Sequence, residues 1–472
     1  MSELVQWSAS RMASAVASGD VSALEIVTAH LDRISAVDPV LHAFVDVRAE
    51  AALLDAANQD DAAARGHSRG QLGGVPVTVK SAIEVAGLRC ETGSASRLDV
   101  RAGRDAVVVA RLRAAGAIVL GTTNVAEMLM GYESDNPLHG RTNNPWDLAR
   151  TPGGSSGGES AAIAAGCSAG GIGSDGGGSI RVPAHFTGIC GLKPTPGRVP
   201  STGHQPACLG PFSLIGVVGP MARTVDDVAL LYRVVAGWDT DDPMATPLPS
   251  TPDGGWPRPR VAWFDAHPSA PPTAETRAAV VAAVRALDAQ EYVTRPFRPL
   301  ALDHARAIWD VIFGDMGELL LAEWLNGRER ELPIVEAIHR ERGPRVPLSA
   351  AALAHAWIDR DLVRAALLDE MRDHDVLVCP VASVPAFTHG ARGWTIDGHD
   401  VGYLDVMVYT QWANILGNPA AVVRAGWSAD GLPIGVQVIG RPFEEHLVLE
   451  VAAAIERGCG GWVAPPTVGG AA

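Results

Sequence analysis

The chain has 472 residues, of which 47% are hydrophobic and 19% charged, so it is long enough to bury a large core and has the balance of a globular protein. Its net charge of −15 argues against nonspecific binding to nucleic acid or to anionic membranes. No stretch of about 20 residues is apolar enough to cross a bilayer, and the N-terminal segment lacks the basic and apolar regions of a signal peptide. We therefore expect a cytoplasmic protein that binds neither nucleic acid nor membrane.

The cysteines and histidines show no metal-binding pattern. The six cysteines are scattered and no two have Cys-x-x-Cys spacing, which disfavours both a zinc site and a disulfide framework. They are Cys90, Cys167, Cys190, Cys208, Cys379 and Cys459. The fourteen histidines form no His-x-His or His-Glu-x-x-His motif. The sequence thus predicts buried thiols in a reducing compartment, with no metal and no cofactor.

The first elements along the chain are helical. Residues 1–70 are rich in alanine, and residues 21–34 place apolar residues at helical spacing. Asp20, just before this run, is positioned to cap the helix. Residues 73–80 then predict a turn that enters a short buried strand.

Beyond that strand, helices and strands alternate, which favours an α/β sheet. Helices are predicted at 106–115, 159–166 and 222–236 and from about 444, strands at 117–120, 375–380 and 432–439, and glycine-rich or proline-rich loops at 136–160, 170–181 and 243–273. Because the strands before and after the less regular helical region are alike, we predict one domain, 1–472. Within it, residues 1–70 form a helical part and residues 245–370 a variable helical insertion.

Lysine is almost absent from the chain. The 38 basic residues include only two lysines, Lys80 and Lys193. Arginine stays charged in proteins, whereas a buried lysine can lose its proton. A lysine that persists in so arginine-rich a chain therefore suggests a position where arginine would fail, and Lys80 ends an apolar run.

Two loops combine serine with glycine. The first is Gly-Gly-Ser155-Ser-Gly-Gly-Glu159, and the second is Gly-Ser-Asp-Gly-Gly-Gly-Ser179-Ile-Arg181. Gly171-x-Gly173-x-x-Gly176 matches a dinucleotide fingerprint, but that motif needs a strand before it and a helix after it, and we predict neither. A nucleophile elbow at Ser155 likewise needs a preceding strand. The elbow remains an alternative, because histidines follow downstream. A third interpretation is that the two serine loops and Lys80 form a serine–serine–lysine triad that uses no histidine.

The chain resembles the amidase signature family. The similar segments are Gly-Val-Pro-Val-Thr-Val-Lys80, the two serine loops, Gly191-Leu-Lys-Pro-Thr195, Asn136-Pro-Leu, Asn144-Pro-Trp, Gly219-Pro-Met-Ala-Arg and Asp430-Gly-Leu-Pro-Ile-Gly-Val-Gln-Val-Ile. They cover about 70–240 and 375–457, while 245–370 carries no motif of this kind. The resemblance implies an α/β fold with a mixed, twisted central sheet covered by helices on both faces.

The resemblance also implies roles for individual residues. Ser179 matches the nucleophile, Ser155 the bridging serine that follows a cis peptide bond, and Lys80 the base. The oxyanion hole would consist of the backbone N–H groups of Gly176, Gly177, Gly178 and Ser179. A lysine acts as a base only when neutral, so burial must lower its pKa.

Further residues are expected around the triad. Ser156, Asp175 and Arg181 would support the loops, whereas Lys193 and Glu159 have structural roles, the latter as a charge at a helix N-terminus. The candidate substrate-binding residues are Leu129, Met130, Trp309 and Phe313. Trp309 and Phe313, together with Met316 and Trp324, are spaced almost helically. This spacing favours core packing, and an apolar acyl channel is the alternative.

Three functions are compatible with these motifs and with the resemblance. The first is a stand-alone amidase, a monomer or homodimer, that hydrolyses linear amides and also anilides, esters or carbamates through an acyl-enzyme. The second is the glutaminase subunit of a tRNA-dependent amidotransferase, which needs a partner protein. The run from Pro196 to Cys208 lacks the Ser-Ser-Leu-Asp-Gln-like segment usual in that protein. The third, a non-catalytic binding protein, is disfavoured because the whole triad is present.

Overall fold

The structure is a computed structural model that describes residues 3–247, 258–327, 332, 335–336, 339 and 347–466. The strands are β1 Phe44–Val47, β2 Pro76–Lys80, β3 Ile118–Thr123, β4 Gly170–Asp175, β5 Cys190–Lys193, β6 Val217–Ala222, β7 Val261–Trp263, β8 Thr294–Pro296, β9 Val376–Pro380, β10 Gly393–Ile396, β11 His399–Gly402, β12 Ala420–Trp427 and β13 Pro433–Gly440. The helices are α1 Ala9–Ser18, α2 Ala23–Leu41, α3 Ala49–Ala64, α4 Val107–Ala114, α5 Gly157–Ala164, α6 Arg181–Thr187, α7 Val225–Val235, α8 Ala274–Asp288, α9 Leu302–Trp309, α10 Met316–Trp324, α11 Ala350–Glu370, α12 Val408–Ile415 and α13 Glu445–Cys459. A π-helical turn, Asp310–Asp315, joins α9 to α10.

One mixed sheet organises the fold. Its eleven strands run in the order β1-β3-β2-β4-β6-β5-β12-β13-β9-β7-β8, and β10 and β11 form a separate hairpin. Helices α1, α4, α7, α8 and α13 share one hydrophobic cluster with the strands, and α5, α6, α9 and α12 share another. The predicted α/β fold, a mixed sheet covered by helices on both faces, is confirmed. Within the described residues, no helix is long and apolar enough to span a membrane.

The strands at the centre of the sheet are buried on both faces. Every residue of β2, β9 and β13 is buried, which explains their nearly continuous apolar sequences. The strand predicted within 73–80 and those predicted at 117–120, 375–380 and 432–439 are all present, and the ends of the last three differ from the prediction by at most three residues.

The glycine-rich run at 170–181 was predicted as a loop, and this prediction was wrong. Its first part is the strand β4, and α6 begins at Arg181. Gly171 is required in β4 because an added Cβ would lie 1.9 Å from a carboxylate oxygen of Glu159. Pro183 does not prevent α6, since it lies in the first turn, where its missing N–H is tolerated.

The strand β4 also changes the reason for rejecting a dinucleotide-binding loop at Gly171-x-Gly173-x-x-Gly176. A strand does precede the loop and a helix does follow it. However, Gly171 and Gly173 lie inside β4, where Gly171 pairs with β2 and both pair with β6. Glycines paired within a sheet cannot form the loop that wraps a phosphate.

Two other local expectations need adjustment. Helix α2 is capped by Ser22, which forms a capping box with Glu25, and not by Asp20. The described residues of the region 245–370 are mostly helical, but they also include β7 and β8, which extend one edge of the sheet.

The N-terminal helix α1 is held to the rest of the protein by Asp227. This buried carboxylate accepts hydrogen bonds from the backbone N–H groups of Ala9 and Ser10, both at 2.9 Å. The first amides of a helix have no partner within the helix, so Asp227 provides acceptors for two donors that the helix itself leaves unsatisfied.

We expect Asp227→Ala to lower the free energy of unfolding by about 2–3 kcal/mol, because two donors lose their acceptor. Asp227→Asn, which keeps one acceptor oxygen, should lose less. The exposed neighbour Asp226 provides a matched control, and its alanine variant should lie within about 1 kcal/mol of the parent. Urea denaturation checks this, and equal losses at both positions would contradict the capping role.

Candidate active site

The parallel pairing of β2 with β4 creates the site. Val79 pairs with Ile172, so Lys80, the last residue of β2, lies near Ser174 at the end of β4. The carboxyl ends of parallel neighbours meet at the same edge of a sheet, and the loops that follow them are close together. Ser179 lies in the loop between β4 and α6 at this edge.

Lys80 is fully buried and surrounded by hydroxyl groups. Its Nζ lies 2.6 Å from Ser155 Oγ, 3.0 Å from Ser174 Oγ and 3.4 Å from the Ser174 carbonyl oxygen. Burial lowers the pKa of Lys80 to about 7, although the negative charge of Asp175 acts in the opposite direction. A large fraction of this amine is therefore neutral at physiological pH and able to accept a proton.

The two predicted serines lie on opposite loops of the same cavity. Ser155 precedes α5 and its peptide bond with Gly154 is cis, as the resemblance implies. Ser179 lines the cavity with Ser155 and keeps 9% of its surface exposed. The N–H of Ser156 donates to the Ser179 carbonyl at 3.2 Å and ties the two loops together.

The backbone of the second loop offers three of the four predicted oxyanion donors. Among the described residues, the N–H groups of Gly176, Gly177 and Ser179 have no acceptor. Gly178 is a correction, because its N–H donates to Asp175 Oδ1 at 2.7 Å. Gly178 instead allows the turn, since its φ of +126° is strained for any other residue.

The buried Asp175–Arg181 ion pair holds the loop that carries Ser179. Both side chains are buried, and Arg181 donates from Nε and Nη2 to the two carboxylate oxygens at 3.0 Å each. Burial would raise the pKa of Asp175, but the charge and hydrogen bonds of Arg181 outweigh it and hold the pKa well below its usual range. The backbone N–H of Ile180 also donates to this carboxylate, at 3.1 Å, so the pair holds the turn that carries Ser179.

Two other buried ionisable side chains lie outside the reacting groups. Lys193 Nζ donates to the Pro194 carbonyl at 3.0 Å. Glu159 accepts from the hydroxyls of Thr78 and Thr123, at 2.5 and 2.7 Å, and burial raises its pKa to about 7. Glu159 therefore connects α5 to β2 and β3, in addition to being the acidic residue of the first helical turn.

Ser174 and His204 are part of this network, although neither was assigned a role from the sequence. His204 Nε2 lies 2.9 Å from Ser174 Oγ, which also contacts Lys80. Ser174 belongs to the glycine-rich run that was predicted as a loop, where side-chain direction could not be inferred. His204 comes from a loop 30 positions further along the chain, and no local pattern indicates where that loop lies.

Two apolar cavities meet at Ser179. All four predicted substrate-binding residues line them: Leu129, Met130 and Phe313 line both, and Trp309 lines the first. Trp309 stacks on Phe313 with ring centroids 4.8 Å apart. Met316 lies in the core instead, while Trp324 lines the second cavity together with Phe212 and His204.

Comparisons with known proteins identify the family of this chain. The family model described as Amidase matches residues 25–449. The chain belongs to the amidase signature family. It is 35% identical to a glutamyl-tRNA(Gln) amidotransferase subunit from Salinispora tropica, an alignment that covers 98% of this chain and all of that one.

Solved structures of the family have the same fold. A chain from a study of a vestigial protein complex and the evolutionary origins of an s-triazine catabolic enzyme is 31% identical, with a TM-score of 0.87 over 97% of this chain and all of that chain. A bacterial aryl acylamidase of the amidase signature family is 26% identical, with a TM-score of 0.81 over 96% of each chain. The protein is thus an amidase signature hydrolase. Its described residues contain no cluster of three or more potential metal ligands.

The buried amine of Lys80 predicts a rise of activity with pH. Its folded pKa of about 7 lies below the ordinary lysine value, so the ammonium predominates below pH 7 and the neutral base above it. We expect kcat/KM to increase through an apparent pKa near 7 and then to level off. A profile that is flat between pH 6 and 9 would contradict the assignment of Lys80 as the base.

Replacement of Lys80 should lower activity strongly whatever the charge of the new side chain. Lys80→Arg keeps a cation that cannot lose its proton, and Lys80→Met keeps the length without a base. We expect each to lower kcat/KM by about 10²–10⁴-fold, the usual contribution of a general base. Lys193→Met, at the other buried lysine, is the matched control for folding and should retain much more activity.

Proposed function

We propose that the protein is a stand-alone amidase that hydrolyses amides with apolar or aryl substituents, using Ser179, Ser155 and Lys80. The observation that carries the proposal is the pair of apolar cavities that meet at Ser179. A substrate bound in these cavities would place its scissile carbonyl at Ser179 and one substituent in each cavity. The similarity to an aryl acylamidase supports including anilides in this class.

In the proposed reaction, Ser179 Oγ attacks the amide carbonyl. Its proton passes to Ser155 Oγ as the proton of Ser155 passes to neutral Lys80. The N–H groups of Gly176, Gly177 and Ser179 bind the developing oxyanion, each such donor contributing about 2.7–4 kcal/mol. As the C–N bond breaks, Lys80 returns the proton through Ser155 to the leaving amine, and an acyl-enzyme remains.

Water completes the cycle by the reverse path. It attacks the acyl carbonyl and gives its proton to Lys80 through the same serine. The bond between the acyl carbon and Ser179 Oγ then breaks, and Ser179 recovers a proton. The sum is amide plus water to carboxylic acid plus amine, with no cofactor. Esters and carbamates present the same carbonyl to Ser179 and are further candidate substrates.

The glutaminase subunit of a tRNA-dependent amidotransferase is the second candidate, because the 35% identity to an amidotransferase subunit covers nearly the whole chain. Glutamine carries an α-ammonium and an α-carboxylate, which need charged partners when buried. In the described lining of the two cavities there is no arginine or lysine, Asp175 is paired with Arg181, and Glu318 contacts His339 at 2.8 Å. This lining favours the first candidate.

The first experiment measures amine release by the purified chain. The substrates are aliphatic amides, an anilide, an aryl carbamate and glutamine, and Ser179→Ala is the blank. We expect hydrolysis of a non-glutamine substrate that is lost in the variant. Turnover of glutamine alone, or of nothing until a partner protein is added, would instead support the amidotransferase function.

Selectivity should change in different ways when the two cavities are enlarged. Trp309 lines only the first cavity and Phe212 only the second. We expect Trp309→Ala to alter kcat/KM ratios across a series that varies one substituent of the amide, and Phe212→Ala across a series that varies the other. Met130→Ala should affect both series, because Met130 lines both cavities. Unchanged ratios in all three variants would show that these cavities do not hold the substrate.

A further inference from the structure

The protonation state of His204 is determined by its surroundings. The ring is 5% exposed, and its Nδ1 lies 2.8 Å from the carbonyl oxygen of Pro206. A carbonyl oxygen can only accept a hydrogen bond, so Nδ1 carries a proton. Burial lowers the pKa of His204 to about 4. The ring is therefore neutral at physiological pH, and its Nε2 has no proton.

This state of His204 determines the orientation of the Ser174 hydroxyl. Nε2 lies 2.9 Å from Ser174 Oγ, and an unprotonated Nε2 can only accept. The hydroxyl proton of Ser174 is therefore donated to His204. Toward Lys80, whose Nζ lies 3.0 Å away, Ser174 Oγ can act only as an acceptor.

The orientation of the Ser174 hydroxyl also determines where the lone pair of Lys80 points. A neutral amine has two N–H groups and one lone pair. Two of its neighbours, the hydroxyl and the carbonyl oxygens of Ser174, accept hydrogen bonds. The two N–H groups are directed to them, and the lone pair is left for Ser155 Oγ at 2.6 Å. A Ser174 hydroxyl without His204 could rotate and donate to that lone pair.

We propose that His204 is a positioning residue that acts through Ser174 to aim the lone pair of neutral Lys80 at Ser155. The inference rests on the proposed acylation of Ser179. His204 keeps its own proton throughout and transfers none. The other titratable groups that act on the pKa of Lys80 are Asp175, Cys208 and Glu159, and the substitutions below replace none of them.

The test compares two substitutions of similar size. His204→Gln retains an acceptor oxygen near the position of Nε2, whereas His204→Met retains the bulk with no strong acceptor. The readout is the rate of acyl-enzyme formation from an activated p-nitrophenyl ester, followed by the burst of nitrophenolate between pH 6 and 9. An activated ester is used because its acylation does not depend on the identity of the natural amide.

We expect His204→Met to lower the acylation rate on the high-pH plateau by about 10- to 100-fold, a part of the contribution of a general base. The concentration of ester at half-saturation should change little. His204→Gln should recover most of the rate. Thermal unfolding of each variant separates this effect from a loss of folded protein.

A double-mutant cycle with Ser174→Ala separates positioning from packing. Without the Ser174 hydroxyl there is no proton to compete for the lone pair, so His204→Met should cost less than about twofold in that background. Equal rates for the methionine and glutamine variants, or the same loss with and without Ser174, would overturn the inference. An unreactive parent chain would contradict the proposed function itself, and the positioning role with it.

Discussion

The burial of Lys80 at the end of β2 is the constraint on which the site depends. An exposed lysine keeps its proton to a pH above 10 and could not serve as a base near neutrality. Because every residue of β2 is buried, the ammonium form of Lys80 is penalised and its pKa falls to about 7. Any nearby negative charge would oppose this effect. The arrangement of the surrounding acids is therefore as important as that of the serines.

The charges of Asp175 and Glu159 oppose the effect of burial on the pKa of Lys80, and each carboxylate is also engaged by other partners. The carboxylate of Asp175 is directed to Arg181 and to the backbone N–H groups of its own loop. The carboxylate of Glu159 is held by two threonine hydroxyls, and with a pKa near 7 it is partly protonated at the pH where Lys80 is partly neutral. The same hydrogen bonds of Asp175 and Glu159 also hold the segments around the site in place, so these carboxylates affect both the pKa of Lys80 and the position of the loops.

Much of the fold and of the site could be inferred from the sequence, because continuous apolar runs such as β2 indicate buried strands and the serine loops resemble known ones. The two features that the sequence did not predict, β4 and the position of His204, both depend on tertiary contacts. In β4, glycine is required by the close approach of Glu159, so the strand has the composition of a loop. His204 reaches Ser174 only through tertiary structure, and spacing along a chain contains no information on such a contact.

The reactive groups of the site and the aromatic residues that line its cavities come from different segments of the chain. The hydroxyls, the amine and the amide donors come from the ends of β2 and β4 and from the loops beside them. Trp309 and Phe313, in contrast, come from the end of α9 and the π-helical turn that follows it, in a region without recognised family motifs. A π-helical turn shifts the direction of the side chains that follow it and is frequent at functional sites. Here Phe313 lines both cavities, so changes in this one segment can reshape both of them while Lys80 stays buried in β2.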